Sequence, residues 1–356
     1  MAVLNDEQIM LRDMAREWTQ NESPVTEWRK VRSGGDERAF DPAAYQTMAE
    51  MGWTGVIIPE EHGGSDFGWM SAGLVIEELG KTLTASPIVS STLAAAAIIL
   101  AGSDEQKARW LPKLASGEVI GTLAIDDNPR HDGKVSGTKA SGGKLNGTKP
   151  FVHEAHGADL FIAATDDGLY IVEKGEGVSL STRKLADSRS HAAVTFTDAP
   201  GDKLADGPDD VLDQLLDRAR ILTACEMLGM AQAVFDTTLD YLKQRVQFNQ
   251  VLATFQALQH RMADLFGDIA MMRSAVEGGL QALDAGFGIP RAACVAKVTA
   301  NDTMHKVSRE GLQLHGGIGM TDEYDVGFYL KRARTLEADW GSSAMLRSRF
   351  AEIGKY

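Results

Sequence analysis

The chain has 356 residues, enough for two or three packed domains with a sizeable core, so it needs no disulfide or metal site for stability. Its 50 Asp and Glu residues outnumber 36 Lys and Arg residues, and the formal net charge of −14 argues against binding to nucleic acid or to an anionic membrane. Only Cys225 and Cys294 occur, in Ala- and Met-rich surroundings that indicate buried free thiols rather than a zinc site.

The N-terminal segment from Met1 to Glu7 is acidic and is not followed by the apolar run of a signal peptide. The longest apolar run, Leu93–Ala101, is far too short to span a bilayer. We therefore expect a soluble, cytoplasmic protein without membrane insertion.

The pattern of the first 117 residues is helical, with apolar residues such as Ile9, Met14 and Trp18 at three- and four-residue steps. Near Gly117 the pattern changes to short β-type runs, for example Leu160–Ala164, separated by Gly, Asp and Asn turns.

Long amphipathic helices are predicted again from Asp209 onward, with further helical blocks from Phe255 to about Gly286 and from near Pro290. The expected fold class is α+β. We predict an N-terminal helical domain at residues 1–117, a small β domain at 118–205 and a helical bundle resembling a four-helix bundle at 206–356.

The segment Leu314–Tyr324 contains a Gly-Gly-x-Gly turn followed by Thr-Asp-Glu-Tyr. Glycines allow the backbone to approach a ligand closely, and a following helix could offer N–H groups to an anion. The segment therefore indicates a ligand-binding site lined by backbone.

Further motifs precede this turn in a fixed order. They are Gly52–Gly55 with Pro59–Gly64, Glu77–Gly80, Gly102–Lys107 with Leu111–Ala115, Leu145–Lys149, and Arg245–Asn249 with Phe255, Gln256 and Gln259. Together they resemble the acyl-CoA dehydrogenase family over most of the chain.

The resemblance implies FAD as cofactor and an oligomer with shared sites. Arg245 would bind the FAD pyrophosphate through its planar donor fork, and Phe248 would pack against the adenine end. Gln313 and Gly317 would lie along the flavin dinucleotide of a neighbouring subunit. The other implied cofactor-binding residues are Gln256, Gly316, Phe151 and Ser342.

The family reaction removes a proton next to the thioester carbonyl with a carboxylate base, and hydride passes from the next carbon to the flavin. The two usual positions of that base correspond to Trp340 and Ala219 in this sequence. Neither side chain can abstract a proton. Both usual positions of the base are therefore empty.

Two nearby acids are weak substitutes for the base. Asp339 would reach the site if the loop shifted by one residue, and otherwise it is an ordinary loop acid. Glu226 lies seven residues beyond Ala219 on the same helical face, so it is a displaced base, a polar contact for a functionalised substrate, or half of an interhelical salt bridge.

The β domain also departs from the family pattern. Ile125–Asp132 replaces the usual Thr-Glu-Pro and Gly-Ser-Asp motifs, and Phe151–His153 replaces Trp-Ile-Thr. An aromatic ring and a polar group are kept, so a flavin could still be bound.

The leading hypothesis is a subunit of a heteromeric, FAD-dependent acyl-CoA dehydrogenase. Such a heterotetramer would act in fatty acid or steroid degradation, with an acyl-CoA substrate, a homologous acyl-CoA dehydrogenase subunit and an electron-transfer flavoprotein as partners. The alternatives are a flavin oxidase or monooxygenase of the same fold and a non-catalytic structural partner subunit. No metal is expected.

Overall fold

The structure is a computed structural model that describes residues 3–356. The helices are α1 (Asp6–Asn21), α2 (Val25–Gly34), α3 (Pro42–Glu50), α4 (Gly68–Lys81), α5 (Ile88–Ala101), α6 (Asp104–Ala115), α7 (Val211–Gln244), α8 (Gln256–Ala285), α9 (Ile289–His315), α10 (Val326–Ala338) and α11 (Ser343–Gly354). The strands are β1 (Gly121–Ala124), β2 (Lys139–Ser141), β3 (Lys144–His153), β4 (Leu160–Thr165), β5 (Gly168–Glu173), β6 (Val178–Thr182), β7 (His191–Pro200), β8 (Asp202–Lys203), β9 (Val246–Gln247) and β10 (Gln250–Val251).

Two compact units divide the chain. One contains the chain up to Val25, Gly73–Thr84 and Arg220–Tyr356, and the other contains Thr26–Ala72 and Ala85–Ala219. Helices α4 and α7 contribute residues to both units.

The unit that contains the strands holds two four-stranded sheets, in the orders β1-β4-β5-β8 and β2-β3-β7-β6. Only the β1 and β4 pair is parallel among these described strands. Apolar side chains from both sheets form one core, in which the rings of Phe161 and Phe196 meet edge to face at 6.4 Å. The β2–β3 turn is Gly142–Gly143, where both φ angles are positive, so glycine is required there.

Local signals mark the start of α6 in this unit. Ser103 and Gln106 form a capping box at the start of α6. The apolar run Leu93–Ala101 lies in α5, where nearly every side chain is buried. Within residues 3–356, no helix combines the length and the apolar character that crossing a membrane requires.

The other unit is built on long helices, and α9 packs against α8, α10 and α11. Pro290 stands in the first turn of α9, as the sequence predicted. The α+β fold class, with helices, a small β region and a C-terminal helical bundle, is confirmed. The predicted domain boundaries near residues 117 and 205 fall between secondary-structure elements and stay predictions.

Candidate functional site

The glycine turn follows directly on α9 and forms a short 3-10 helix, Gly316–Met320. Gly316 and Gly317 are exposed, and a Cβ added to either would meet nothing within 4 Å. Gly319 is different, because an added Cβ would lie 3.0 Å from the Leu312 carbonyl oxygen. The first two glycines therefore leave an open backbone surface, whereas the third allows the turn to pack on its own helix.

An aromatic cluster supports the turn. The His315 ring stacks on Tyr241 at 4.4 Å and lies 5.2 Å from the ring of Tyr324. His315 Nδ1 donates to the Gly311 carbonyl at 2.8 Å, whereas Nε2 is buried and has no hydrogen-bond partner within residues 3–356. Burial lowers the pKa of His315, only partly opposed by the Gly311 bond. The charged form of this imidazole beneath the turn is therefore disfavoured.

Arg245 lies beside this cluster. With Gln244, Tyr241 and Tyr324 it lines an open cleft of about 390 Å³. The Arg245 side chain is exposed, so its donors are available to an anionic ligand. Thr237 and Asp240 complete the lining, so the cleft combines a guanidinium and two aromatic rings with one carboxylate.

The β9–β10 hairpin turns on Phe248 and Asn249, which both adopt left-handed conformations with φ of 53° and 63°. This conformation is costly for a bulky residue. The Phe248 ring is 84% exposed and contacts only the ring of Phe255, edge to face at 6.1 Å, among the ring contacts of the described chain. A strained turn that presents an exposed aromatic ring indicates a binding role.

The remaining predicted cofactor residues are also accessible. Gln256 begins α8 and Gln313 lies in the last turn of α9, and both are exposed. Phe151 on β3 is 36% exposed. Ser342 has a structural role, because its Oγ accepts a hydrogen bond from the Met345 N–H at the start of α11. Their contacts with a cofactor stay predictions.

The family resemblance assigned the base to positions 219 and 340, and the side chain at each position is not ionisable. Ala219 is fully buried in α7. Trp340 is buried in a left-handed conformation with φ of 58°, and its carbonyl oxygen accepts a hydrogen bond of 2.9 Å from Arg220 Nε. One anchor of the loop is thus a backbone oxygen, which does not depend on the identity of the side chain at 340.

Glu226 forms the interhelical salt bridge that the sequence left open. Arg332 of α10 donates to both carboxylate oxygens, from Nε at 2.8 Å and from Nη2 at 3.1 Å. Both side chains are largely buried. A carboxylate fixed by a bidentate guanidinium is poorly suited to accept a substrate proton.

Asp339 is half-buried at the C-terminal end of α10, near the fully buried Lys297. Lys297 Nζ donates to Asn301 Oδ1 at 2.6 Å and to the Leu336 carbonyl oxygen at 2.8 Å. Burial lowers the pKa of Lys297 to about 7, although the charges of Asp339 and Glu337 oppose this. The electrostatics of Asp339 are therefore coupled to a buried lysine.

Sequence reasoning missed Lys297, Arg220 and Arg332. Lys297 and Arg220 each have apolar neighbours on both sides in a helix, and that position was the available signal, whereas Arg332 follows Lys331 directly and gave none. What it could not indicate is which carbonyl or carboxylate each cation would contact.

In the β region, the ring of His153 lies 4.5 Å from His191, its partner in the β3–β7 register. Lys149 is fully buried and donates to Asp127 Oδ1 and to the Ile125 carbonyl, both at 2.7 Å. Lys149 therefore anchors the loop whose sequence departs most from the family pattern.

Comparison with known proteins decides the family. The acyl-CoA dehydrogenase N-terminal domain matches residues 5–118, and the C-terminal domain matches residues 205–354. The chain belongs to the acyl-CoA dehydrogenase family. It is accordingly an FAD-dependent oxidoreductase that acts on CoA thioesters.

Several relatives align over most of their length. Acyl-CoA dehydrogenase IpdE2 of Mycobacterium tuberculosis is 31% identical over 317 residues, covering 88% of this chain and 85% of that protein. Acryloyl-CoA reductase (NADH) of Anaerotignum propionicum is 31% identical and covers 96% of this chain and 92% of that protein. The solved structure of a Tcur3481-Tcur3483 steroid acyl-CoA dehydrogenase variant has a TM-score of 0.91 at 28% identity, covering 98% of both chains.

The residues present fit the family cofactor. The exposed Gly316 and Gly317 backbone, the Arg245 guanidinium and the Phe248 ring offer the close approach, positive charge and apolar surface that a flavin dinucleotide needs.

Proposed function

We propose that this chain is a subunit of a heteromeric acyl-CoA dehydrogenase and does not supply the usual catalytic carboxylate. The observation that carries the proposal is the pair of substitutions at Ala219 and Trp340, where the family base would lie. Glu226 cannot readily replace the base, because it is engaged by Arg332. A neighbouring subunit with an intact base would then carry out proton abstraction.

The exposed cofactor residues support this proposal. Arg245, Phe248 and Gln313 face solvent in the chain alone, although Phe248 is held in a costly conformation. Bound FAD supplies the hydride acceptor of the family reaction. We infer that these residues bind the FAD of a homologous subunit and that an electron-transfer flavoprotein reoxidises the flavin.

The test measures flavin content by visible absorbance after purification of the chain alone and of the chain co-expressed with a homologous subunit. We expect little FAD and little acyl-CoA dehydrogenation from the chain alone, and a rise of both on co-expression. Phe248→Asn should lower FAD retention in the complex, because it removes the apolar contact while suiting the left-handed turn. Phe287→Asn is the matched control, since Phe287 is also 84% exposed.

Full activity of the chain alone, abolished by Asp339→Asn, would contradict the heteromer and identify Asp339 as the base. Equal loss of FAD from Phe248→Asn and Phe287→Asn would show that Phe248 has no specific role in binding FAD.

A flavin oxidase or monooxygenase is the second candidate, and the half-buried Asp339 beside the empty base position is what favours it. Hydrogen peroxide formed on mixing the protein with substrate and oxygen would identify that chemistry. A complex that contains no flavin at all would instead indicate a structural partner subunit.

A further inference from the structure

Arg218 is a buried cation without a carboxylate partner. It lies on α7, one residue before Ala219, and is only 9% exposed. Its Nη1 donates to the Gln214 carbonyl oxygen of its own helix at 2.8 Å. Its Nε is buried and has no hydrogen-bond partner, and no carboxylate of residues 3–356 lies within salt-bridge distance.

This arrangement is costly, because a guanidinium removed from water needs compensating acceptors. The buried Arg332 and the partly buried Arg273 have such acceptors in Glu226 and Glu77. Burial lowers the pKa of Arg218, and the neighbouring Asp217 opposes this only in part. The positive charge of Arg218 is therefore undercompensated by the chain itself.

An aromatic ring lies against Arg218. Its guanidinium carbon is 5.4 Å from the ring centroid of Trp69, the second residue of the 14-residue helix α4. This cation–π contact is attractive, but it does not replace the oxygen acceptor that the buried Nε lacks, and it does not neutralise the charge. An anionic oxygen group beside the guanidinium would do both.

We propose that Arg218 binds an anionic oxygen group of the acyl-CoA substrate, either a carboxylate of the acyl part or a phosphate of CoA. The assignment to acyl-CoA rests on the proposed function, and Arg218 adjoins Ala219, the position where the family resemblance puts the base. The existence of an anion site rests on the burial and contacts of Arg218 alone.

The first test needs no CoA. Thermal unfolding of the full chain is followed while inorganic phosphate or acetate replaces chloride at constant ionic strength. The melting temperature of the wild type should rise to a plateau, and that of Arg218→Gln should not. Without added anion Arg218→Gln should be at least as stable as the wild type, because it removes an uncompensated buried charge.

Two further variants keep this test decisive. Arg183→Gln removes an exposed arginine of the same unit and should respond to anions as the wild type does. Arg218→Lys keeps the charge but loses the planar fork, and should respond weakly. An anion response that survives intact in Arg218→Gln would overturn the site, as would a wild type that shows none.

The second test identifies the source of the anion. Binding of a dicarboxylic acid monothioester of CoA, a simple acyl-CoA of equal length and free CoA is measured by calorimetry, with and without the partner subunit. If the group is an acyl carboxylate, Arg218→Gln should weaken only the first ligand, by about tenfold to a hundredfold. Equal weakening of all three would assign a CoA phosphate.

No change for any ligand would refute a role in acyl-CoA binding. A wild type that binds no CoA ligand but keeps its phosphate response would refute the proposed function while leaving the anion site intact, so the two failures are distinguishable.

Discussion

Glu226 and Arg332 are both largely buried, and each compensates the charge of the other. Glu226→Gln would leave a largely buried guanidinium without its counter-charge, so we expect a loss of about 3 to 5 kcal/mol in the free energy of unfolding by denaturant titration. The double variant Glu226→Leu with Arg332→Met should recover most of this loss. Asp36→Asn, at the exposed Arg38 pair, is the control and should change stability little.

Lys297 gives the protein a specific dependence on pH. Burial lowers the pKa of Lys297 to about 7, whereas the pKa of a lysine in the unfolded chain is about 10.4. Between these values the unfolded chain binds more protons, so the stability contributed by this residue rises with pH. We expect the stability of the wild type, relative to Lys297→Met, to increase from pH 7 to about 10. A flat difference across this range would show that Lys297 is charged in the folded protein.

At the scale of elements, α4 and α7 cross at two glycines within one compact unit. A Cβ on Gly229 would lie 1.9 Å from the Glu77 carbonyl oxygen, and a Cβ on Gly80 would lie 2.4 Å from that of Glu226. We expect Gly229→Ala to force the helices apart and to destabilise the protein by about 1 to 3 kcal/mol or more, measured by denaturant unfolding. Gly278→Ala in α8, where an added Cβ meets nothing within 4 Å, should stabilise instead. Equal losses of stability in Gly229→Ala and Gly278→Ala would contradict this account.

At the scale of the whole molecule, an exposed uncharged stripe follows one face of α8. Its largest side chains are Phe266 and Met271, which are 65% and 63% exposed, and its other members are Ala263, Gly267, Ala270 and Ser274. We predict that this stripe packs against the neighbouring subunit in the proposed heteromer. Ala270→Glu should therefore weaken assembly in analytical ultracentrifugation, because a charge would be buried without a partner. Ser348→Glu adds a charge at an exposed site on α11 and should assemble normally.

The sequence predicted much of this fold because periodicity and turn residues act locally. Apolar spacing indicated α8 and α9, and the β-type run at Leu160–Ala164 is the wholly buried strand β4. The compact unit formed by Gly73–Thr84 with Arg220–Tyr356 could not be predicted, since it depends on contacts between distant segments.

The candidate site was predictable to the same degree. The glycine turn and Arg245 stood out as motifs, and the structure presents both as exposed groups. The pairing of Glu226 with Arg332 was one of three alternatives, because spacing along one helix cannot select a partner on another. The undercompensated charge of Arg218 was not visible in the sequence, since it depends on what lies around the side chain.

The hydrogen bond from Arg220 to the Trp340 carbonyl has an evolutionary consequence. A backbone oxygen is present whatever residue occupies position 340, so the loop can keep its course while its side chain drifts. Under the proposed function, a subunit that exchanged an acid at this position for another residue would still keep this anchor of its loop. The bond would then favour a division of labour between subunits.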